Sequence, residues 1–184
     1  MDTEQSYYEQ DISEESLREC AIQYSEKPVQ DHGKLLGYLL VFRIQDQWFG
    51  LETKAVSQIT DMENGVAVPR SKSLLLGLFN QRGVFIPIID IRQFLHIPPD
   101  SVENQKQGKQ VVMESEHGQF CFLVDELHDV EEIYENCLMS KSVQSEEKAS
   151  PLVKSIVEIS LKQKKQKVIW LKSDILDEMV REGL

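Results

Sequence analysis

Gly77-Leu78-Phe79-Asn80-Gln81-Arg82-Gly83-Val84-Phe85-Ile86-Pro87-Ile88-Ile89-Asp90 is an apolar run broken once, by a polar turn that carries an arginine. Aromatic and β-branched residues on both sides of a Gly-containing turn predict two buried strands of a hairpin, with Arg82 at the tip and its guanidinium in reach of solvent. Such a turn displays the arginine to a partner or merely solvates it, and solvation is the commoner fate of a turn residue.

The pattern on either side of this hairpin is also β. Tyr38-Leu39-Leu40-Val41-Phe42-Arg43-Ile44 and Trp48-Phe49-Gly50-Leu51 flank Gln45-Asp46-Gln47, which predicts a hairpin with a three-residue polar loop. Over Glu52 to Ile59 the period changes: Ala55, Val56 and Ile59 recur at helical spacing and predict one or two turns of helix. Pro69 to Ser73 breaks the chain before the Arg82 hairpin, and Ile91 to Leu95 reads as a short helical turn ended by Pro98-Pro99. A polar stretch from Asp100 to Lys109 precedes a further hairpin, Val111 to Glu114 against Phe120 to Val124 around His117-Gly118. Strands are expected at Val130 to Tyr134, Leu152 to Ile159 and Lys167 to Leu171. A helix capped by Ser173 closes the chain, with Ile175, Leu176, Met179 and Val180 as its buried stripe. Many short strands with little helix predict a mainly β protein of small closed barrels.

A chain of 184 residues, 41% of them hydrophobic, is long enough for one sizeable domain or two small barrels sharing an interface. The formal net charge of -11 opposes a nucleic-acid groove, which needs clustered Lys and Arg. Residues 1 to 33 hold nine Asp and Glu against Arg18 and Lys27, a net of -7, so the other 151 residues carry only -4. Ser13 to Tyr24 has a narrow apolar face suited to a marginal helix or a docking peptide. Its polar surroundings favour a flexible acidic extension ahead of a domain over 34–184. Cys20, Cys121 and Cys137 are odd in number and widely spaced, which suits a reducing compartment better than a disulfide framework. Neither a signal peptide nor a membrane span is expected: no basic segment leads into an apolar core, and no run approaches about 18 apolar residues.

Residues that could carry chemistry are few. His32, His96, His117 and His128 show no short ligand spacing with Cys or carboxylates, so no metal or other cofactor is expected. No glycine-rich phosphate loop is present. The pairs Glu131-Glu132 and Asp125-Glu126 are adjacent on extended segments, where neighbours point to opposite faces and do not converge as an acid and a base. Cys121, inside an apolar strand, reads as a small buried hydrophobe. Lys162, Lys164, Lys165 and Lys167 read as a solvated loop between strands, or as a contact for an acidic partner. Trp48 and Trp170 read as core, with an exposed edge of Trp48 as a possible anchor.

Leu40-Val41-Phe42, Trp48-Phe49-Gly50-Leu51, the Gly77–Asp90 stretch and Phe122-Leu123-Val124-Asp125 together resemble the CheW family of coupling proteins, in that family's order and spacing from about Leu36 to Val180. The resemblance implies two five-stranded SH3-like β-barrels packed together, with a short C-terminal helix. It also implies a cytoplasmic, non-enzymatic adaptor of a bacterial chemosensory array. Its partners would be the cytoplasmic tip of a methyl-accepting chemoreceptor and the regulatory domain of a CheA-type histidine kinase, with no nucleic acid and no direct membrane insertion. A scaffold of a paralogous pathway, such as one controlling pili, is the alternative. Carried over position by position, the receptor-facing residues are Val56, Gln58, Ile59, Asn80, Arg82 and Gly83. Gln58 stands where the family often has Glu, and its neutral amide lacks charge assistance towards Arg82. Cys121 and Ser155 stand where the family has glycine. Both are expected to bulge or shift the second barrel and its kinase-facing edge.

Overall fold

The computed structural model describes residues 33–61, 65–66, 68, 74–98, 108–115, 118–139 and 150–184. The Ser13–Tyr24 segment, Cys20, His32, His117 and the Pro69–Ser73 breaker lie outside them. The chain builds β1 (Leu35–Ile44), β2 (Gln47–Glu52), a 3-10 turn (Thr53–Ala55), β3 (Val56–Asp61), β4 (Leu75–Gln81), β5 (Val84–Ile89) and α1 (Arg92–Leu95). It continues through β6 (Lys109–Ser115), β7 (Gly118–Val124), β8 (Glu126–Tyr134), a second 3-10 turn (Glu135–Cys137), β9 (Val153–Leu161), β10 (Lys164–Leu171) and α2 (Ser173–Gly183).

Among the described residues ten strands form two five-stranded sheets, ordered β8-β1-β2-β10-β9 and β3-β6-β7-β5-β4. Most neighbours are antiparallel; β10 on β2 and β5 on β7 are the parallel pairs. The second sheet comes from one uninterrupted stretch, residues 56–124, inserted between β2 and β8 of the first. The sheets therefore do not divide the chain into halves, and Cys121 and Ser155 do not share a barrel. Cys121 lies in β7 opposite Val112 and Ile88, whereas Ser155 lies in β9 opposite Trp170. A register shift does adjoin Ser155, between Trp170 and Leu171, but the β6–β7 register runs unbroken through Cys121.

The mainly apolar runs of the sequence are strands buried on both faces. In β1, Leu39 and Val41 point into a cluster inside the first sheet with Val157, Val168 and Trp170, while Leu40, Phe42 and Ile44 point into a central cluster. In β7, Cys121 joins Phe79, Ile86, Ile88 and Val112 inside the second sheet, and Phe120, Phe122 and Val124 face the central cluster. Phe42 and Phe122 meet there, one from each sheet, with ring centroids 5.5 Å apart. A strand between two cores has no polar face to alternate with, which is why these segments read as nearly continuous hydrophobic runs.

Several local expectations are corrected. Glu52 to Ile59 is not helical beyond Thr53–Ala55, because Val56, Ile59 and Thr60 extend along β6 in antiparallel register. The β1–β2 loop has two residues rather than three, since Gln47 pairs with Ile44. Gln45, with φ 52, takes the left-handed strain of that turn, and Asp125 accepts its backbone N–H. Lys172, not Ser173, is the N-cap of α2, and no side chain caps that end. Leu176 and Val180 are the buried part of the stripe, with Ile175 and Met179 packed against the same central cluster. The short helix α1 is held by Asp90, whose carboxylate accepts from Arg92 Nε at 2.7 Å and Nη2 at 2.8 Å.

Candidate functional site

The hairpin β4–β5 turns through Arg82 and Gly83 alone, with φ 51 and 90, so both central residues are left-handed as a type I′ turn requires. Gly83 takes this at little cost, and its N–H donates to Asn80 Oδ1 at 2.8 Å, fixing the bend. The arginine is thereby lifted clear of the sheet and exposed. A two-residue turn also sets the register: Gln81 opposes Val84, Asn80 opposes Phe85 and Phe79 opposes Ile86. Phe79 and Ile86 point inward, so Asn80 and Phe85 must point outward. Phe85 is 62% exposed and Val84 58%. The expectation of two fully buried strands is thus wrong at the tip, where the guanidinium stands beside apolar surface. The signal was available in the sequence, because Phe85 sits opposite polar Asn80 once the turn is fixed at two residues.

The six predicted residues are only partly gathered. Asn80, Arg82 and Gly83 share the hairpin end. Gln58, on β3, accepts a hydrogen bond from Gln81 Nε2, which brings the middle of β3 to the base of the Arg82 turn. Ile59 is 38% exposed. Val56 is half-buried: a register shift between Val56 and Gln58 puts it on the same side of β3 as Ile59, packed against the central cluster. Gln81 was not singled out from the sequence, although it makes the contact that joins the two groups.

Several of the remaining sequence candidates find structural partners. Lys162 and Gln163 form the two-residue β9–β10 turn with φ 49 and 66. Lys162 pairs with Glu126, which also takes Arg43 at 2.9 Å, and Lys165 pairs with Glu158 at 2.8 Å. The Lys162 hydrogen bond is the largest cause holding the Glu126 carboxyl below its ordinary value, with Arg43 adding to it. Trp48 is no free anchor: the Arg43 guanidinium carbon lies 5.9 Å from its ring centre, and His128 packs edge-on at 6.1 Å. Trp170 is buried with Lys154 Nζ 4.0 Å from its ring centre. Burial pushes the Cys121 thiol up to about 12, leaving it inert at neutral pH.

No group of three metal-ligating side chains occurs among the described residues. An open groove of about 590 Å³ between the β1–β2 turn, residues 95–98 and the start of β10 is lined by Trp48, His96, Ile97, Lys165 and Lys167. Asp46 lines it too. No described helix is long and apolar enough to cross a membrane.

Residues 38–174 match the model of the CheW-like domain family. This chain belongs to that family. Among curated relatives, a probable chemotaxis protein CheW of Rhizobium etli is 38% identical over 61 residues, 33% of this chain and 39% of that protein. The chemotaxis protein CheW of Thermotoga maritima is 28% identical over 119 residues, 64% of this chain and 77% of the relative. The crystal structure of the scaffolding protein TtCheW from Thermoanaerobacter tengcongensis superposes with a TM-score of 0.60 at 21% identity. That match covers 74% of this chain and 88% of the solved one, and it carries the two-barrel CheW fold to this protein. The mainly β architecture expected from the sequence, two five-stranded units with a short C-terminal helix, is the one observed.

Proposed function

We propose that this CheW-like chain is a cytoplasmic, non-enzymatic adaptor that couples chemoreceptors to a CheA-type histidine kinase. Family membership supplies the class. The observation that carries the receptor half is the Arg82 turn, where a guanidinium projects on a rigid hairpin beside exposed Val84 and Phe85. Arginine beside apolar surface is a common composition for a recognition centre, giving directional hydrogen bonds next to area that is released from water on contact. The same side chain contributes little to folding, because it packs into neither sheet. The kinase would meet a second surface, so that one molecule bridges two partners. Contacts of this kind are individually modest in area, and assembly into an array multiplies them.

The test is calorimetric titration of the full chain with a receptor cytoplasmic fragment and, separately, with a CheA regulatory domain. Arg82→Ala is expected to weaken the receptor interaction about tenfold, to leave the kinase interaction in place, and to move the thermal midpoint by less than about 2 °C. Unchanged receptor binding together with a large drop in the midpoint would make Arg82 a folding residue and remove the reading. Binding to neither partner would turn attention to a paralogous pathway.

A further inference from the structure

We infer that Gln81 is a positioning residue: its bond to Gln58 clasps the two outermost strands of the second sheet together and fixes the Arg82 turn against β3. The strand order β3-β6-β7-β5-β4 puts β3 and β4 at opposite ends, so no backbone ladder runs between them. On its outer edge β4 is bonded by backbone at the bridge between Val66 and Leu78, with N···O distances of 2.7 and 3.0 Å. Beyond Leu78 the hairpin runs on for three residues, Phe79 to Gln81, before the turn. That is about 10 Å of strand with neighbours on one side only among the described residues. The Gln81 Nε2 bond to Gln58 Oε1 is placed at its far end. Strand parity explains why these side chains meet. Gln58 opposes Val112, and Gln81 is two residues from Phe79, so both lie on the side that lines the second sheet's interior cluster. Thr60 and fully buried Gln110, bonded at 3.3 Å, continue the same polar seam. At this end the interior cluster is bordered by the amides of Gln58, Gln81 and Gln110 and the Thr60 hydroxyl. The clasp is directional, and it ties the middle of β3 to the base of the Arg82 turn.

The inference rests on the receptor-binding reading only for the use made of that surface; the clasp itself is tested in the free protein. Amide hydrogen exchange is measured on the full chain for wild type, Gln58→Leu, Gln81→Leu and the double variant, with Gln81→Asn as a milder form that keeps an amide but shortens it. Loss of one hydrogen bond of ordinary net strength should quicken exchange over residues 79–86 about fivefold and leave β10 unchanged. The double variant should be no faster than either single, because both remove one interaction. Gln58→Glu combined with Gln81→Lys should restore slow exchange by replacing the amide bond with an ion pair. Unchanged exchange in both single variants, additive effects, or no rescue would overturn the clasp. Titration with the receptor fragment then separates the two ideas. Quickened exchange with weaker binding supports both, whereas quickened exchange with Arg82→Ala still binding normally keeps the clasp and fails the receptor reading.

Discussion

Arg82 and Gly83 share one turn but depend on it differently. Arg82 is an L-residue held at φ 51, a conformation that costs roughly 1 kcal/mol and is stabilised here by the ladder on both sides of the turn. Gly83 holds φ 90, and a methyl group built on it would touch nothing within 4 Å. Any cost of Gly83→Ala is therefore backbone strain rather than a clash. We expect that variant to lose about 1 kcal/mol in urea unfolding and Gly83→Asn to lose less, since asparagine tolerates the left-handed region better. Equal losses would mean that contacts, not φ, decide this position. Cys121 and Ser155 pose a similar question with a different answer. Cys121 is fully buried, so Cys121→Gly empties core volume and should cost about 1–3 kcal/mol, whereas Ser155→Gly, on a half-buried strand position, should cost under about 1 kcal/mol. Because they lie in different sheets, the double variant should equal the sum within about 0.5 kcal/mol. A large coupling between them would contradict the separation of the sheets.

At the scale of elements, α2 is the clearest case of a segment legible in sequence and still misread at its end. Its apolar stripe is visible as Ile175, Leu176, Met179 and Val180, and the structure buries Leu176 and Val180 in the central cluster. Leu176→Ala should cost about 2–5 kcal/mol by thermal or urea unfolding, because a fully buried leucine leaves a cavity between both sheets and the helix. A loss below 1 kcal/mol would show that the helix is only loosely docked. Its first residue is another matter: Ser173 is a good cap by type, yet Lys172 takes the cap position without a side-chain bond. The same contrast runs through the sheets. Tyr38 to Ile44 and Phe120 to Val124 are readable as strands because they are apolar on both faces, but the strand β3 is not, since Val56 and Ile59 at helical spacing imitate a helix and only pairing with β6 decides. The candidate site was legible where it is local, in the turn from Asn80 to Gly83. The link through Gln58 and Gln81 was not, because it depends on two strands 23 residues apart meeting at a sheet seam.

For the whole molecule, the insertion of residues 56–124 between β2 and β8 makes the first sheet a closure of distant segments. Its strands are stitched at the surface by ion pairs, of which Glu52–Lys154 and Glu126–Arg43 reach across the insertion. Glu52 of β2 takes Lys154 of β9 at 2.7 Å and Lys54 at 2.6 Å, and Glu126 of β8 takes Lys162 and Arg43. Burial alone would raise the Glu52 carboxyl, but the bonds from Lys154 and Lys54 outweigh it and hold the group below its ordinary 4.5. Glu126 is lowered from 4.5 in the same sense, by Lys162 first and Arg43 second. A carboxyl depressed in the folded state stabilises the fold above its unfolded value, and that stabilisation is lost as pH falls through the folded value. The first sheet should therefore weaken on acidification below about pH 4.5, by a modest amount because both sites are partly open to solvent and salt. Glu52→Gln combined with Glu126→Gln should lower the thermal midpoint at pH 7 and flatten its decline between pH 6 and pH 3.5 relative to wild type. The gap between the two proteins should also narrow as salt is raised, since ions screen exposed pairs. Curves that stay parallel over that pH range would show that these carboxylates are no better solvated by their partners than by water. The closure of the first sheet would then rest on its apolar cluster and backbone ladder alone.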